Sequence, residues 1–310
     1  MTKYIVSGYI GFDNFGDEAI AMALTNELKS KHAEKITLIS SNPAKTAKMY
    51  NVNSCSMLKF FKPLAEADVL ISGGGSLLQD ITSLKSLIYY LGVIYIALFL
   101  KKKVHIFSQG IGPINTKIGK ILTRYALRHC EKISVRDKKS QELLKSWNIE
   151  SELVRDPVFN LDIPTQNIKG IVGVQLRSYP TLSDDFLKRL AKEVILKFAD
   201  KQIQVISLQD SLDLEVCNKF ANMVRKQGIE NVQVLSKLSV QQVFDTISKL
   251  EYLIGMRFHA NVVAIKSNVK TLAINYDPKV QKLAEEFNLS LINLNQNDFT
   301  REFEQLIECM

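Results

Sequence analysis

The sequence predicts an α/β protein of two Rossmann-like domains facing across a cleft, and three observations lead there. Short apolar runs alternate with helix-length stretches from end to end, the rhythm of βαβ units and largely parallel sheets. That rhythm restarts near residue 170, and 310 residues suit roughly two domains of about 100–200 residues each. Finally, the glycine-rich and polar motifs stand directly behind apolar runs. If the runs are parallel strands, every motif lies at a carboxyl end, where open α/β sheets bind ligands.

The first half reads as strands near 3–8, 35–40, 68–71, 103–108, 132–135 and 151–154. Its helices fall near 16–32, 43–50, 83–100, 115–129 and 137–146, with Asp17 and Glu18 suiting the positive end of the first. The second half reads as strands near 170–176, 203–208, 231–235, 252–255, 270–275 and 290–294. Helices follow near 183–200, 213–227, 239–249, 257–267, 278–288 and 298–308. Asn160–Asn167 is polar, carries Pro164 and has no period, so it is the expected linker. Domains of 1–162 and 163–310 follow.

The composition, 46% hydrophobic and 23% charged, is that of a globular protein with a sizeable core. A net charge of +8 favours anionic partners. The lysines are dispersed and no base-reading helix or ribonucleoprotein signature appears, so nucleic acid is not an expected partner. Cys55, Cys130, Cys217 and Cys309 form no C-x-x-C pair, which argues against a disulfide framework or zinc site and for reduced cytosolic thiols. A strand-like run begins right after Lys3, so no signal peptide is expected. The longest apolar segment, Leu87–Leu100, is too short for an ordinary transmembrane helix and reads as a helix buried under a sheet. Lys101-Lys102-Lys103 behind it keeps a peripheral membrane contact open.

The first motif, Gly8-x-x-Gly11-x-x-x-x-Gly16-Asp17-Glu18, is neither the dinucleotide fingerprint nor a P-loop. Its glycines either permit a tight turn or bring backbone N–H groups to an anion at a helix start. With Asp13, Asn14 and Asp17 added, the site reading is preferred. Gly73, Gly74 and Gly75, followed by Ser76, suit a nest of N–H donors around an anion. Gln79 and Asp80 are equally open to supporting the site or the helix start. Gln109 and Gly110 bring a third turn to a strand end, where Gln109 either bonds a sugar or carboxylate or closes the turn.

Arg136 stands at the next strand tip, either paired to Asp137 at a solvated helix start or placed for bidentate recognition of carboxylate or phosphate. In the second half Arg177 is a further anion contact by position. Arg257 and His259 open a helix at a strand end, where a lone histidine is either structural or, as the position suits, a general acid/base. Asp277 and Pro278 cap a helix, and Lys279 behind them is either a surface residue or placed to neutralise a phosphate. His32, His105 and His129 read as structural. Neither a metal-ligating set nor a hydrolase motif is present.

These stretches resemble the polysaccharide pyruvyl transferases of the CsaB type. The resemblance rests on SGYIGFDNFGDEAI (7–20), SGGGSLLQD (72–80), QGIGP (109–113), SVRD (134–137), DPV (156–158), MRFHA (256–260) and YDPKV (276–280), in the family's order. Phe258 stands where leucine is more usual. The resemblance implies a fold like the GT-B glycosyltransferases and a transferase moving pyruvate from phosphoenolpyruvate onto a sugar as a cyclic ketal. It implies an acceptor such as N-acetylmannosamine of a lipid-linked cell-wall polymer precursor, met in the cytoplasm or at the inner membrane face. His259 then matches the family's catalytic histidine, and Arg136 and Lys279 match positions that handle phosphoenolpyruvate. No metal or redox cofactor is implied. The residues alone leave open a GT-B glycosyltransferase using a nucleotide-sugar, or a non-enzymatic nucleotide- or glycan-binding module. They are silent on oligomeric state.

Overall fold

Ile5 and Val6 in the first apolar run are both buried, as a strand inside a two-sided sheet requires. The computed structural model describes residues 1–308, and its contacts divide the chain into two units, 1–160 and 161–310. In unit 1 the strands are β1 (Lys3–Ser7), β2 (Lys35–Ser40), β3 (Asn53–Ser56), β4 (Val69–Ser72), β5 (Lys103–Gln109), β6 (Lys132–Val135) and β7 (Glu152–Leu153). The helices are α1 (Phe15–Ser30), α2 (Pro43–Tyr50), α3 (Phe61–Glu66), α4 (Leu84–Phe99), α5 (Lys117–Arg128) and α6 (Lys138–Ser146). A 3-10 turn, Pro157–Asn160, ends the unit.

All unit 1 strands pair in parallel, in the order β3-β2-β1-β4-β5-β6-β7. The chain winds outward from β1 to β3, then returns to the other side of β1 to begin β4. The winding direction therefore reverses between β1 and β4, whose last residues, Ser7 and Ser72, lie side by side. Helices start at the carboxyl edge with side-chain caps: Asn14 on α1, Ser83 on α4, Thr116 on α5 and Asp137 on α6. Each cap satisfies a backbone N–H that the helix leaves unpaired, worth about 1 kcal/mol. The single tryptophan, Trp147, closes α6 and packs partly buried against the unit 1 core.

Unit 2 contains β8 (Ile171–Gln175), β9 (Gln202–Ile206), β10 (Val232–Leu235), β11 (Tyr252–Gly255), β12 (Lys270–Asn275) and β13 (Ser290–Asn293). Its helices are α7 (Asp184–Phe198), α8 (Asp210–Arg225), α9 (Val240–Ser248), α10 (Phe258–Lys266), α11 (Pro278–Phe287) and α12 (Thr300–Glu308). The sheet is again parallel, ordered β10-β9-β8-β11-β12-β13, so its reversal lies between β8 and β11. The core is aromatic on the α7 and α12 side, where Phe186, Phe198, Phe299 and Phe303 are fully enclosed. Each such side chain contributes about 1.5–3 kcal/mol relative to exposure.

Two elements differ from the sequence expectation. β3 is a polar run, Asn-Ser-Cys-Ser, recruited at the sheet edge by pairing with β2. α3 is a single short helix interrupted in composition by Pro63. Neither buries a continuous apolar face, which is the signal that periodicity reads. The apolar segment 87–100 is a helix packed on a sheet as expected: Leu87, Tyr90, Leu91, Val93, Ile94 and Ala97 of α4 are buried. Among the described residues no helix is long and apolar enough to cross a membrane. Cys55, Cys130 and Cys217 are free thiols, and Cys309 lies outside the described residues.

Candidate active site

The loop after β1 reaches α1 through two unusual backbone positions. Gly11 has φ +84° and Asp13 has φ +57°, conformations that cost L side chains energy. A Cβ on Gly11 would lie 2.2 Å from Ser40 Oγ and 2.7 Å from Asn42 N, so the glycine is required by close approach as well. The Gly11 N–H donates to Glu18 Oε1 at 2.7 Å, and Gly16 N–H donates to the capping Asn14 Oδ1 at 3.0 Å. Two loop amides that would suit an anion are thus held by the chain's own side chains. Asp13 is exposed and paired with Lys45 at 2.5 Å.

Glu18 is the residue that sequence reasoning underrated. It is buried and also accepts from the Tyr50 hydroxyl. Burial pushes its carboxyl above the usual range, opposed by the bonds from Tyr50 and Gly11. Its position in the first turn of α1 signalled only a favourable helix dipole.

The triple glycine after β4 runs along α1. A Cβ on Gly73 would meet Leu24 at 3.4 Å, one on Gly74 would meet Ile20 Cγ2 at 2.4 Å, and one on Gly75 would meet Asp17 Oδ1 at 2.7 Å. Residues 17, 20 and 24 form one stripe of the helix, so the three glycines let a backbone lie flat against it. Gly75 also has φ +86°. Gln109 is fully buried, and its amide donates to Ser72 Oγ (2.8 Å) and the Gly73 carbonyl (3.2 Å), tying β5 to this loop. Asp80 accepts from Asn115 N, Thr116 N and Thr116 Oγ1, and those bonds hold its carboxyl below the usual range. Gln79 bonds Thr82. Both therefore brace loops.

Ser76, Gly110 and Arg136 come together. Arg136 is 9% exposed and donates to Asp156 Oδ2 and Ser76 Oγ, each at 3.1 Å. A Cβ on Gly110 would sit 2.8 Å from Ser76 Oγ and 3.6 Å from Arg136 Nε, so the glycine makes room for the guanidinium. Arg136 Nε is buried with no acceptor among the described residues. Asp137 does not pair with Arg136 in a solvated helix start; it caps α6 through Ser140 N. Asp156, not singled out by itself from sequence, is the partner that holds the arginine.

In unit 2 the reversal between β8 and β11 is flanked by Arg177 on one side and by Arg257 and His259 on the other. Arg257 is locked: its Nε and one terminal nitrogen bond Asp213 at 2.7 Å each, and it also reaches Gln209. Its backbone N–H donates to Gln175 Oε1 at 2.6 Å. Asp213 is completely buried and also accepts from Leu208 N and Gln209 N. An acidic residue in the first turn of a helix gave no sign of this in the sequence. Arg257 therefore acts on the strand-end architecture, holding β11 to α8.

His259 is the second residue of α10, half-buried, with its ring 5.0 Å from that of Phe258. Arg177 lies with its guanidinium 5.5 Å from the Tyr276 ring centre, and its Nε is buried without an acceptor among the described residues. Burial raises the Tyr276 hydroxyl above its ordinary range while Arg177 and Arg257 pull it back. Lys279 follows the Asp277 cap of α11 and is half-buried. Beside these residues, Asn275, Tyr276, Asp277, Gln281, Asn293 and Asn295 line a pocket of about 560 Å³ at the carboxyl ends of β12 and β13. The asparagines were not expected as site residues, although their strand-end positions obey the same rule as the rest. The larger cavity, about 930 Å³, lies in unit 1 along α1 and the β5–β6 face and is lined by none of the predicted site residues. Among the described residues no three His, Cys, Asp or Glu side chains converge as metal ligands.

A family model for polysaccharide pyruvyl transferase matches residues 14–278. The chain belongs to the polysaccharide pyruvyl transferase family. Its membership marks the protein as a transferase; the matched span runs from Asn14 to Pro278, so Gly11 and Asp13 fall just before it and Lys279 just after. The fold of this pyruvyl transferase family member is shared with sugar-nucleotide enzymes. A glycosyltransferase from Rickettsia africae matches with TM-score 0.65 at 12% identity, over 99% of this chain and 88% of the other. The UDP-GlcNAc 2-epimerase of Neisseria meningitidis, solved with UDP-GlcNAc, gives 0.64 at 10% identity over 98% and 91%. The corresponding epimerase of Methanocaldococcus jannaschii gives 0.64 at 12% over 99% and 92%. At such identity the likeness concerns the fold, two parallel-sheet α/β units of GT-B type, as predicted.

Proposed function

We propose that the protein transfers pyruvate from phosphoenolpyruvate to two hydroxyls of a sugar, forming a cyclic ketal and releasing phosphate. The observation that carries this reading is the set of Arg177, His259 and Lys279 along the carboxyl edge of one sheet, in a member of the pyruvyl transferase family. Phosphoenolpyruvate bears a carboxylate and a phosphate, and guanidinium and ammonium groups suit both.

In the proposed reaction His259 gives a proton to the methylene carbon of phosphoenolpyruvate, which becomes the methyl group. The adjacent carbon turns oxocarbenium-like and is attacked by one sugar hydroxyl, which loses its proton to the imidazole. Phosphate then leaves with its bonding electrons, carrying a proton, as the second hydroxyl closes the ring. Lys279 and Arg177 hold the donor's negative charge and stabilise the departing phosphate. In unit 1, Arg136 would offer an anion its unpaired Nε–H, since one N–H on each of its terminal nitrogens goes to Asp156 and Ser76. Gly11, Gly16 and Gly73–Gly75 shape the loops, with Asp13, Asn14, Asp17 and Gln109 supporting acceptor or loop. The family implies a polysaccharide acceptor, which we assign to a lipid-linked N-acetylmannosamine-containing precursor handled at the inner membrane face.

His259→Ala is expected to keep the fold and lose phosphate release from phosphoenolpyruvate with acceptor by about 10²–10⁴-fold, the usual worth of a general acid/base. Turnover like that of the wild type removes His259 from the mechanism. A second reading, a glycosyltransferase using a nucleotide-sugar, is favoured by the likeness to a glycosyltransferase and to an epimerase solved with UDP-GlcNAc, though one fold hosts many reactions.

A further inference from the structure

From Ile81 to Cys130 the chain has eight Lys and Arg and not one Asp or Glu. Those eight account for the whole net charge of +8, because the remaining 32 of the 40 cations balance the 32 acids. The fold gathers this stretch into one surface. α4 and α5 pack side by side, joined where the Tyr95 hydroxyl donates to the Leu122 carbonyl at 2.8 Å and the Tyr95 and Tyr125 rings stack.

On α5 the outward positions alternate in kind. Ile118, Ile121 and Tyr125 are 60%, 67% and 56% exposed and form one apolar stripe at i, i+3 and i+7. Lys117, Lys120, Arg124 and Arg128 form a cationic stripe one residue behind it. On α4, Leu84, Ile88 and Phe99 point outward, opposite the buried Leu87–Ala97 face. Ile81 and Lys85 continue the same mixture at the start of that helix, and both are exposed. None of Lys85, Lys117, Lys120 or Arg124 is paired with a carboxylate among the described residues.

We infer that this face of unit 1 docks onto an anionic lipid surface. A polyanion would use the cations but has no use for exposed isoleucines, and an apolar protein partner has no use for an acid-free cationic stripe. A bilayer with acidic headgroups satisfies both at once: headgroups meet the lysines and arginines while Ile118, Ile121 and Tyr125 enter the headgroup–acyl boundary. Both helices begin at the carboxyl edge of the sheet, the edge that carries Gly73–Gly75 and the Ser76–Gly110–Arg136 group. Docking through this surface is independent of pyruvyl transfer.

The full chain is mixed with sucrose-loaded vesicles of phosphatidylcholine, alone or with phosphatidylglycerol, and sedimented at low and high salt. Binding is expected to the phosphatidylglycerol vesicles and to weaken with salt. Lys117→Gln, Lys120→Gln and Arg124→Gln combined should weaken it by about fivefold per cation. Ile118→Ser with Ile121→Ser should weaken it by about tenfold or more while far-ultraviolet circular dichroism stays unchanged. Absence of wild-type binding to acidic vesicles at low salt overturns the inference, whatever the variants do. So does binding that ignores both substitutions, or binding to a DNA duplex as tight as to vesicles and indifferent to the isoleucines.

Discussion

Glu18 is a carboxylic acid enclosed between a tyrosine hydroxyl and a backbone amide. Burial raises its affinity for a proton in the folded chain above that in the unfolded chain. The folded state therefore binds more protons than the unfolded one between the two pKa values, so stability falls as pH rises through that window. Glu18→Gln keeps an acceptor for Gly11 and offers an amide to Tyr50. It is expected to be more stable than wild type above the window, with the difference vanishing once pH drops below the unfolded carboxylate range, as read from urea midpoints across pH. Asp213 is fully buried against the guanidinium of Arg257. Asp213→Ala leaves Arg257 buried and alone, and should cost about 3–5 kcal/mol, measured by urea unfolding. Such carboxylates were illegible in the sequence because an Asp or Glu at a helix start is ordinarily solvated. Arg136, by contrast, was visible by position; what could not be read was that Asp156, twenty residues on, already holds it.

Among the elements, the strands most easily read were those buried on both faces, such as β4 and β11, where every residue is enclosed. β3 escaped because its Asn-Ser-Cys-Ser run is fixed by edge pairing with β2 rather than by burial. The glycine loops were read correctly as strand ends, yet the reason for the triple glycine is a relation between two elements. Gly73, Gly74 and Gly75 lie against Leu24, Ile20 and Asp17 in turn, and no local pattern announces that contact. Gly74→Ala forces a methyl to within 2.4 Å of Ile20 Cγ2 and should destabilise by about 1–3 kcal/mol through overpacking. Adding Ile20→Ala is expected to recover part of the loss in a double-mutant cycle. Additive losses would show that the loop and α1 are not coupled there.

For the whole molecule, the doubling of an α/β unit was legible because alternation of apolar runs survives in both halves, and each sheet reverses its winding where the motifs sit. The family's chemistry and the fold's commoner ligands make different predictions for binding. Phosphoenolpyruvate at one hundred times its dissociation constant should stabilise the protein by about 2.7 kcal/mol, a thermal shift of several degrees. A UDP-sugar that shifts the transition while phosphoenolpyruvate does not would favour the glycosyltransferase reading.

The lone indole of Trp147 belongs to unit 1, tucked against that unit's core, while the other unit carries no tryptophan. Excitation at the red edge of the absorption band thus singles out one half of the chain without any label. Emission then follows the melting of residues 1–160, and circular dichroism follows both halves. Superimposable curves from the two probes would mean that the halves come apart as one cooperative body; separated curves would mean that each keeps its own stability.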